Sequence, residues 1–311
     1  MNPTIHVVGR GIVARRLHRL LHAHRVIVQD PWWSNVTGTA AGDVVVLAQG
    51  GLHAPAVPDL LDRGLHVVTV GDELDDIREL LELDHVAAAS GLTLMVGAAM
   101  SPGLSGLLAR QLAGQLACVD EIHVAFHGTA GPACARAHHR SLSGRSIGWY
   151  DGAWAEYVGG SGRELCWFPE PVGAMDCYRA QIASPLVLQR AFPGVGRISA
   201  RRSATRRDRF TAFLPMLRPP HVEGGIGALR VELRGGDDAG GRQCVIAGVA
   251  ELVGTAAAAT AAAFTTAIVD GLLPAGAVVA AEAALPTTEL LRRVQSFGTR
   301  LQEFTGVPQP S

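Results

Sequence analysis

Gly9-x-Gly11-x-x-Ala14 follows a short apolar run, Thr4 to Val8, and opens a segment, Ile12 to Ala23, whose Leu17, Leu20 and Leu21 share a helical face. Placed between a strand and a helix, this spacing suits a pyrophosphate. The first glycine permits a tight turn, the second lets the backbone approach the phosphates, and the alanine lets helix and strand pack closely. The helix start adds free N–H groups and the positive end of the helix dipole. Asp30 ends the next strand, Arg25 to Gln29, 19 residues beyond Gly11, where a carboxylate accepts hydrogen bonds from an adenosine ribose. The expected cofactor is NAD, because that carboxylate repels a 2′-phosphate; Arg10 and Arg25 are close enough in sequence to keep NADP open. The backbone of Gly9, Arg10, Gly11, Ile12 and Val13 should contact it. Gln49, Gly50, Gly71, Ala98 and Pro102 should join them from the ends of later strands, where open α/β sheets bind ligands.

A nicotinamide carries the hydride chemistry, so the protein must hold the substrate and move one proton. Histidine is the side chain suited to that proton at neutral pH. The candidates are His127, at the end of an alternating run from Glu121, and His138 and His139 in a polar stretch; any one histidine is more often structural than catalytic. For a substrate carboxylate, Ser101, Gly103 and Ser105 lie at a helix start beyond the fifth strand, although capping alone explains a Ser-Pro there. Arg136, Arg140 and Arg179 could clamp it bidentately, and Glu170 and Asp176 could grip an amine, although Glu170 lies between two prolines, as exposed turns do. Cys134-x3-His138-His139 has no second cluster at zinc spacing, so no metal is expected. No Gly-x-Ser-x-Gly elbow is present to support a serine hydrolase.

These groups need elements to carry them. Strands at Thr4–Val8, Arg25–Gln29, Asp43–Ala48, Leu65–Val70 and Leu92–Gly97 alternate with helices near Pro55–Asp62 and Asp72–Leu83, the order of a parallel α/β sheet. Only 12 residues separate Asp30 from Asp43, too few for the crossover helix and extra strand of a full dinucleotide half. A helix is expected from Ser101 to about Ala117, then strands at Glu121–His127, Ala228–Arg234 and Arg242–Ala250, and helices at Thr255–Leu272 and Thr287–Phe304. The expected fold is α/β: a Rossmann-type parallel-sheet domain at 1–118 and a substrate-binding and dimerisation α+β domain with a mixed or antiparallel sheet at 119–285, while a C-terminal helix at about 286–311 could pack back on the first. The basic run at residues 201–209 reads as a solvated loop.

Composition narrows the function. All 27 basic residues are arginine, which removes Schiff-base chemistry and the Walker-type phosphate lysine. A net charge of −1 gives no footprint for nucleic acid. Leu252 to Val269 lacks charge but is mostly alanine and threonine, so it reads as a buried helix and no membrane role is expected. Five cysteines without a CxxC pair, and an amino terminus without signal-peptide regions, suit a reduced cytoplasmic setting.

The run from Ala88 through Met100-Ser101-Pro102-Gly103-Leu104-Ser105 to Ala109 resembles the saccharopine dehydrogenase-like family, in which a glycine-rich strand precedes a Pro-Gly-Leu/Phe-Ser turn and an apolar helix. Trp167 to Gly173 and Ala191-Phe192-Pro193-Gly194-Val195 are similar to that family's second domain. The resemblance implies a Rossmann domain, a mixed-sheet substrate domain and NAD(P)-linked oxidation or reduction at a carbon bearing nitrogen, as in lysine 6-dehydrogenase-like members. The expected function is thus an oxidoreductase acting on the amine or imine carbon of a small amino-acid-like substrate, as a homodimer. Two alternatives stay open: a nucleotide-binding sensor or partner protein without turnover, and a carbonyl or enoyl reductase of a biosynthetic pathway.

Overall fold

The computed structural model describes residues 3–30, 36–216 and 219–303. Short strands and helices alternate at the start: β1 (Ile5–Val8), α1 (Ile12–Leu20), β2 (Val26–Gln29), β3 (Val44–Leu47), α2 (Val57–Asp62), β4 (His66–Thr69), α3 (Leu74–Glu82), α4 (Asp84–Ala89) and β5 (Thr93–Val96). β1, β3 and β5 are buried throughout, as strands covered on both faces must be. Every pairing is parallel, and β3 joins β1 on the side away from β2.

The chain therefore passes from β2 over β1 to β3, and residues 36–43 contain neither helix nor strand. Asp43 anchors this described part of the link. Its carboxylate accepts the backbone N–H groups of Thr4 and Ala40 at 2.8 Å each and meets His6 Nε2 at 3.2 Å. Gln29 Nε2 bonds His6 Nδ1 at 3.0 Å and donates to Thr37 O at 2.9 Å. Burial alone would raise the Asp43 carboxyl, but the donors Ala40, Thr4 and His6 hold it below the ordinary carboxylate value.

The helix expected from Ser101 starts later. Ser101 is extended, at φ −144°, because a proline disfavours helical geometry in the residue before it; regular helix begins with α5 (Ser105–Ala113). A second sheet follows: β6 (Cys118–His127), α6 (Pro132–Ser141), β7 (Arg145–Tyr150), β8 (Ala153–Val158), β9 (Glu164–Trp167), β10 (Ala174–Tyr178), α7 (Ser184–Ala191), β11 (Arg197–Ser203), α8 (Arg206–Thr211), β12 (Ile226–Gly236) and β13 (Arg242–Leu252). β6 and β11 run parallel, while β12 meets β6 and β13 antiparallel, so the sheet is mixed. Registers Ile122↔Ile198, Val124↔Ala200 and Phe126↔Arg202 place the apolar positions of both strands on one face. The basic run at 201–209 is thus the end of β11 and α8, with Arg202 only 5% exposed, rather than a solvated loop.

The alanine-rich segment forms the buried helix α9 (Val253–Val269); the hydroxyls of Thr260, Thr265 and Thr266 donate to carbonyls four residues back. Among the described residues no helix is long and apolar enough to cross a membrane. β14 (Gly276–Val279) then pairs parallel with β5, giving the first sheet the order β14-β5-β4-β3-β1-β2. α10 (Thr287–Ser296) is tied to the end of α9 through Arg293, which reaches Asp270 at 2.8 Å and Thr266 at 3.1 Å, and β15 (Gln302–Glu303) pairs with β13. The last helix is shorter than expected: it ends at Ser296, Gly298 turns the chain at φ 98°, and residues 302–303 are strand, while the expected helix beyond residue 303 lies outside the described residues.

The chain forms two compact units: residues 1–104 with 254–299, and residues 105–253 with 300–311. The sequence pattern places the changes at 118 and 285. The difference has two sources: α5 packs on β12 and β13, and β14 is hydrogen-bonded into the first sheet.

Candidate functional site

The first unit holds the glycine turn at the carboxyl end of β1. Gly9 has φ 129°, and a Cβ there would lie 3.0 Å from the backbone of Ala48 and Gln49; packing alone demands glycine. Gly11 is different. Its φ of −70° and ψ of −179° suit any residue, and a Cβ would meet nothing within 4 Å. It is the N-cap of α1, yet no side chain caps the helix and its first turn holds no acid. Helix stability would favour Ser, Asp or Asn at this place. Glycine instead leaves an open cradle in front of the N–H groups of a nine-residue helix, which suits a pyrophosphate. Ile12 and Ala14, buried, anchor that helix, while Val13 is half-buried.

Asp30 follows β2 and pairs with Arg10 across the turn; both side chains are exposed. Gln49 is half-buried and Gly50 exposed after β3. Ala98 and Pro102 are buried, and a Cβ on Gly103 would lie 2.8 Å from Gly97 O. Ser101 and Ser105 are buried as well.

Sequence reading missed a polar pair behind Gln49. Asp76 Oδ1 accepts the backbone N–H groups of His53 and Ala54 at 2.8 Å each, fastening the loop after β3 to α3. His53 Nε2 donates to Gln49 O at 3.1 Å, which turns Nδ1 toward Asp76 Oδ2 at 3.9 Å. Both facing atoms are buried without a hydrogen-bond partner, as is Gln49 Oε1. Gly71 packs against this pair: a Cβ there would lie 3.1 Å from His53 Nδ1.

In the second unit, a cavity of about 350 Å³ gathers all three candidate histidines, with Asp176 and Arg202 among its lining. His127 ends β6, and its Nδ1 meets Ser203 Oγ at 2.7 Å. His138 stands edge-on to Phe126, centroids 5.4 Å apart, and 3.6 Å from Cys134 Sγ. His139 Nε2 donates to Thr211 O at 2.9 Å, tethering the segment after β11 to α6. Arg202 lies over the Phe126 ring and donates to Ser141 Oγ at 3.4 Å. Asp176 pairs with Arg163 at 2.9 Å. The other expected contacts lie elsewhere: Arg136, Arg140 and Glu170 are exposed, and Arg179 stacks on Tyr157 at 3.7 Å. Arg202 was legible in principle, since Ile198, Ala200 and Arg202 alternate onto the face that Ile122 and Val124 also occupy. Among the described residues no group of three or more His, Cys, Asp or Glu could hold a metal ion.

Burial lowers the pKa of His53, His66 and His127; the charge of Arg202 adds to this at His127, while Asp76 opposes it at His53. His66 Nδ1 accepts the Thr93 N–H at 3.0 Å and needs its lone pair. The unfolded chain takes up protons near pH 6.5 that these folded positions refuse, so their contribution is complete above pH 6.5 and is lost as the pH falls below it. The thermal midpoint should therefore fall steadily from pH 7 to pH 5, before carboxylates titrate; a flat profile would contradict the burial of these rings.

No protein-family model matches the chain, and no curated protein matches it in sequence. Solved structures do. Saccharopine dehydrogenase (L-Glu forming) from Saccharomyces cerevisiae aligns over 97% of this chain and 100% of its own, with a TM-score of 0.66 at 11% identity. The fold is that of saccharopine dehydrogenase. An amine dehydrogenase from Mycobacterium smegmatis aligns over 91% of this chain and 96% of its own, with a TM-score of 0.50 at 12% identity. The two-domain plan implied by the Pro-Gly-Leu-Ser resemblance is thus present: one parallel sheet and one mixed sheet.

Proposed function

We propose that this chain is an NAD(P)-dependent oxidoreductase that moves hydride to or from the amine- or imine-bearing carbon of a small amino-acid-like substrate. The observation that carries this reading is Gly11, a glycine required neither by its backbone angles nor by its neighbours, at the start of a helix with Asp30 at ribose distance in the fingerprint. The resemblance of the fold to saccharopine and amine dehydrogenases supports the reaction class.

When bound, the nicotinamide supplies the hydride chemistry. The N–H groups of Gly11, Ile12 and Val13 receive the pyrophosphate, and Asp30 takes the ribose hydroxyls. In the second unit, His127 is held neutral by burial and by Arg202, so its Nε2 accepts a proton at neutral pH. Arg202 supplies a positive charge for a substrate carboxylate.

Thermal denaturation with NADH or NADPH tests the reading. Ligand at 100 times its dissociation constant adds about 2.7 kcal/mol, a clear rise in midpoint, and silence toward both nucleotides would overturn it. The Arg10–Asp30 pair sets the preference between them. Asp30→Ala should weaken NADH about tenfold, the equivalent of roughly 1.4 kcal/mol, and strengthen NADPH relative to it, because Arg10 is released to meet a 2′-phosphate. Unchanged relative affinities would place the ribose away from Asp30.

A further inference from the structure

The first unit is electrically lopsided. Residues 10–29 hold five arginines and no acidic residue, although the whole chain has a net charge of −1. By contrast, α3 holds Asp75, Asp76, Glu79 and Glu82 against Arg78 alone. α1 packs on β1, and α3 on β5 and β14, so the basic and acidic helices belong to opposite ends of the sheet. Arg10 is neutralised by Asp30. Arg15, Arg19 and Arg25 are exposed, and among the described residues none of them forms an ion pair. The five residues after Asp30, Pro-Trp-Trp-Ser-Asn, add no charge. Helix stability does not account for this pattern. Arg19 suits the last turn of α1, but Arg15 stands one turn from its amino end, where an acid would serve the dipole better. Arg15 also repels Arg19, four residues on.

From this we infer that Arg15 and Arg19 guide the dianionic pyrophosphate of the dinucleotide to the cradle at Gly11. They set the rate of cofactor capture, and not the hold on the cofactor once bound. The inference rests on the reading of Gly11 as a pyrophosphate site. Along the helix axis Arg15 lies about 6 Å and Arg19 about 12 Å from Gly11. Both distances fall well inside the Debye length of about 30 Å at low salt, and outside that of about 3 Å at high salt. A long-range pull of this kind raises association rates without any contact in the complex. The acidic α3 sharpens the guidance, because it repels the same anion from the far end of the sheet.

Stopped-flow binding of NADH to the full chain, followed by NADH fluorescence, tests this in the parent and in an Arg15→Gln, Arg19→Gln double variant. Both positions are exposed and glutamine keeps helix propensity, so the variant should fold as the parent does. In about 10 mM salt the parent should associate about tenfold faster than the variant. In about 1 M salt the two association rates should agree within about twofold. The dissociation rates should match at each salt concentration. Arg15→Glu with Arg19→Glu should slow low-salt association further. Equal low-salt association rates in parent and glutamine variant would overturn the inference. So would a difference carried by dissociation, which would make the arginines contacts of the bound cofactor. Association indifferent to salt, in a parent that does bind NADH, would remove the inference alone. A parent that binds no NADH at any salt concentration would remove the pyrophosphate reading and the inference with it.

Discussion

Gly11→Asp should abolish NADH binding while leaving the folded chain as stable as before, or slightly more so. Gly11 occupies the N-cap of α1 with ordinary extended angles and open space around its Cβ, and α1 has no side-chain cap. An aspartate placed there accepts the orphan N–H groups of the first turn and favours the helix dipole, which adds a few tenths of a kcal/mol over glycine. The same carboxylate fills the cradle and repels a pyrophosphate. The dissociation constant for NADH should therefore rise by at least about 100-fold, near 2.7 kcal/mol. Midpoint and affinity thus move in opposite senses, which a merely structural glycine would not produce. Calorimetric titration beside a melting curve reads both, and normal NADH affinity in the Gly11→Asp variant would remove the dinucleotide assignment. Gly9→Ala is the contrast: its cost appears in stability, because the side chain enters the backbone of Ala48 and Gln49 at positive φ.

Asp76→Ala should markedly destabilise the first unit. Two buried N–H groups, of His53 and Ala54, lose a charged acceptor. The loss is on the order of 3 kcal/mol, or roughly 6–12 °C in Tm for a unit of this size. Asp76→Asn should behave quite differently. The amide oxygen keeps both backbone bonds, and the amide nitrogen can donate to His53 Nδ1, an atom now facing a second acceptor at 3.9 Å. The asparagine variant should stay within about 1 kcal/mol of the parent. A melt in which both variants fall equally would mean that the negative charge itself, rather than its acceptor geometry, secures the loop.

The parallel sheet was legible because its signals are local. Val44–Leu47 and Leu94–Val96 are unbroken apolar runs, and Gly9, Gly11 and Asp30 stand at fixed intervals from strand ends. The shortened link after Asp30 was legible as a count of residues. What holds it was not: His6, Gln29 and Asp43 meet only when three parallel strands lie side by side. The same limit hid β14, whose Gly276-Ala277-Val278-Val279 is four residues long and owes its place to a partner about 180 residues earlier. In the second unit, the histidines were found by type and Arg202 was passed over. It stands in an arginine-rich run, and composition hid a period of two that puts this one guanidinium among apolar neighbours.

The return of the chain to complete its first sheet has a consequence for synthesis. β5 emerges from the ribosome with one edge unpaired, and β14, which covers that edge, follows about 180 residues later, a delay of roughly 9–36 s at 5–20 residues per second. For that interval a strand that is fully buried in the finished chain, Thr93-Leu94-Met95-Val96, presents open hydrogen-bonding groups in a crowded setting. The nascent amino-terminal segment should therefore be more aggregation-prone than the finished chain. Chains truncated before residue 276 should depend on chaperones far more than the finished molecule does.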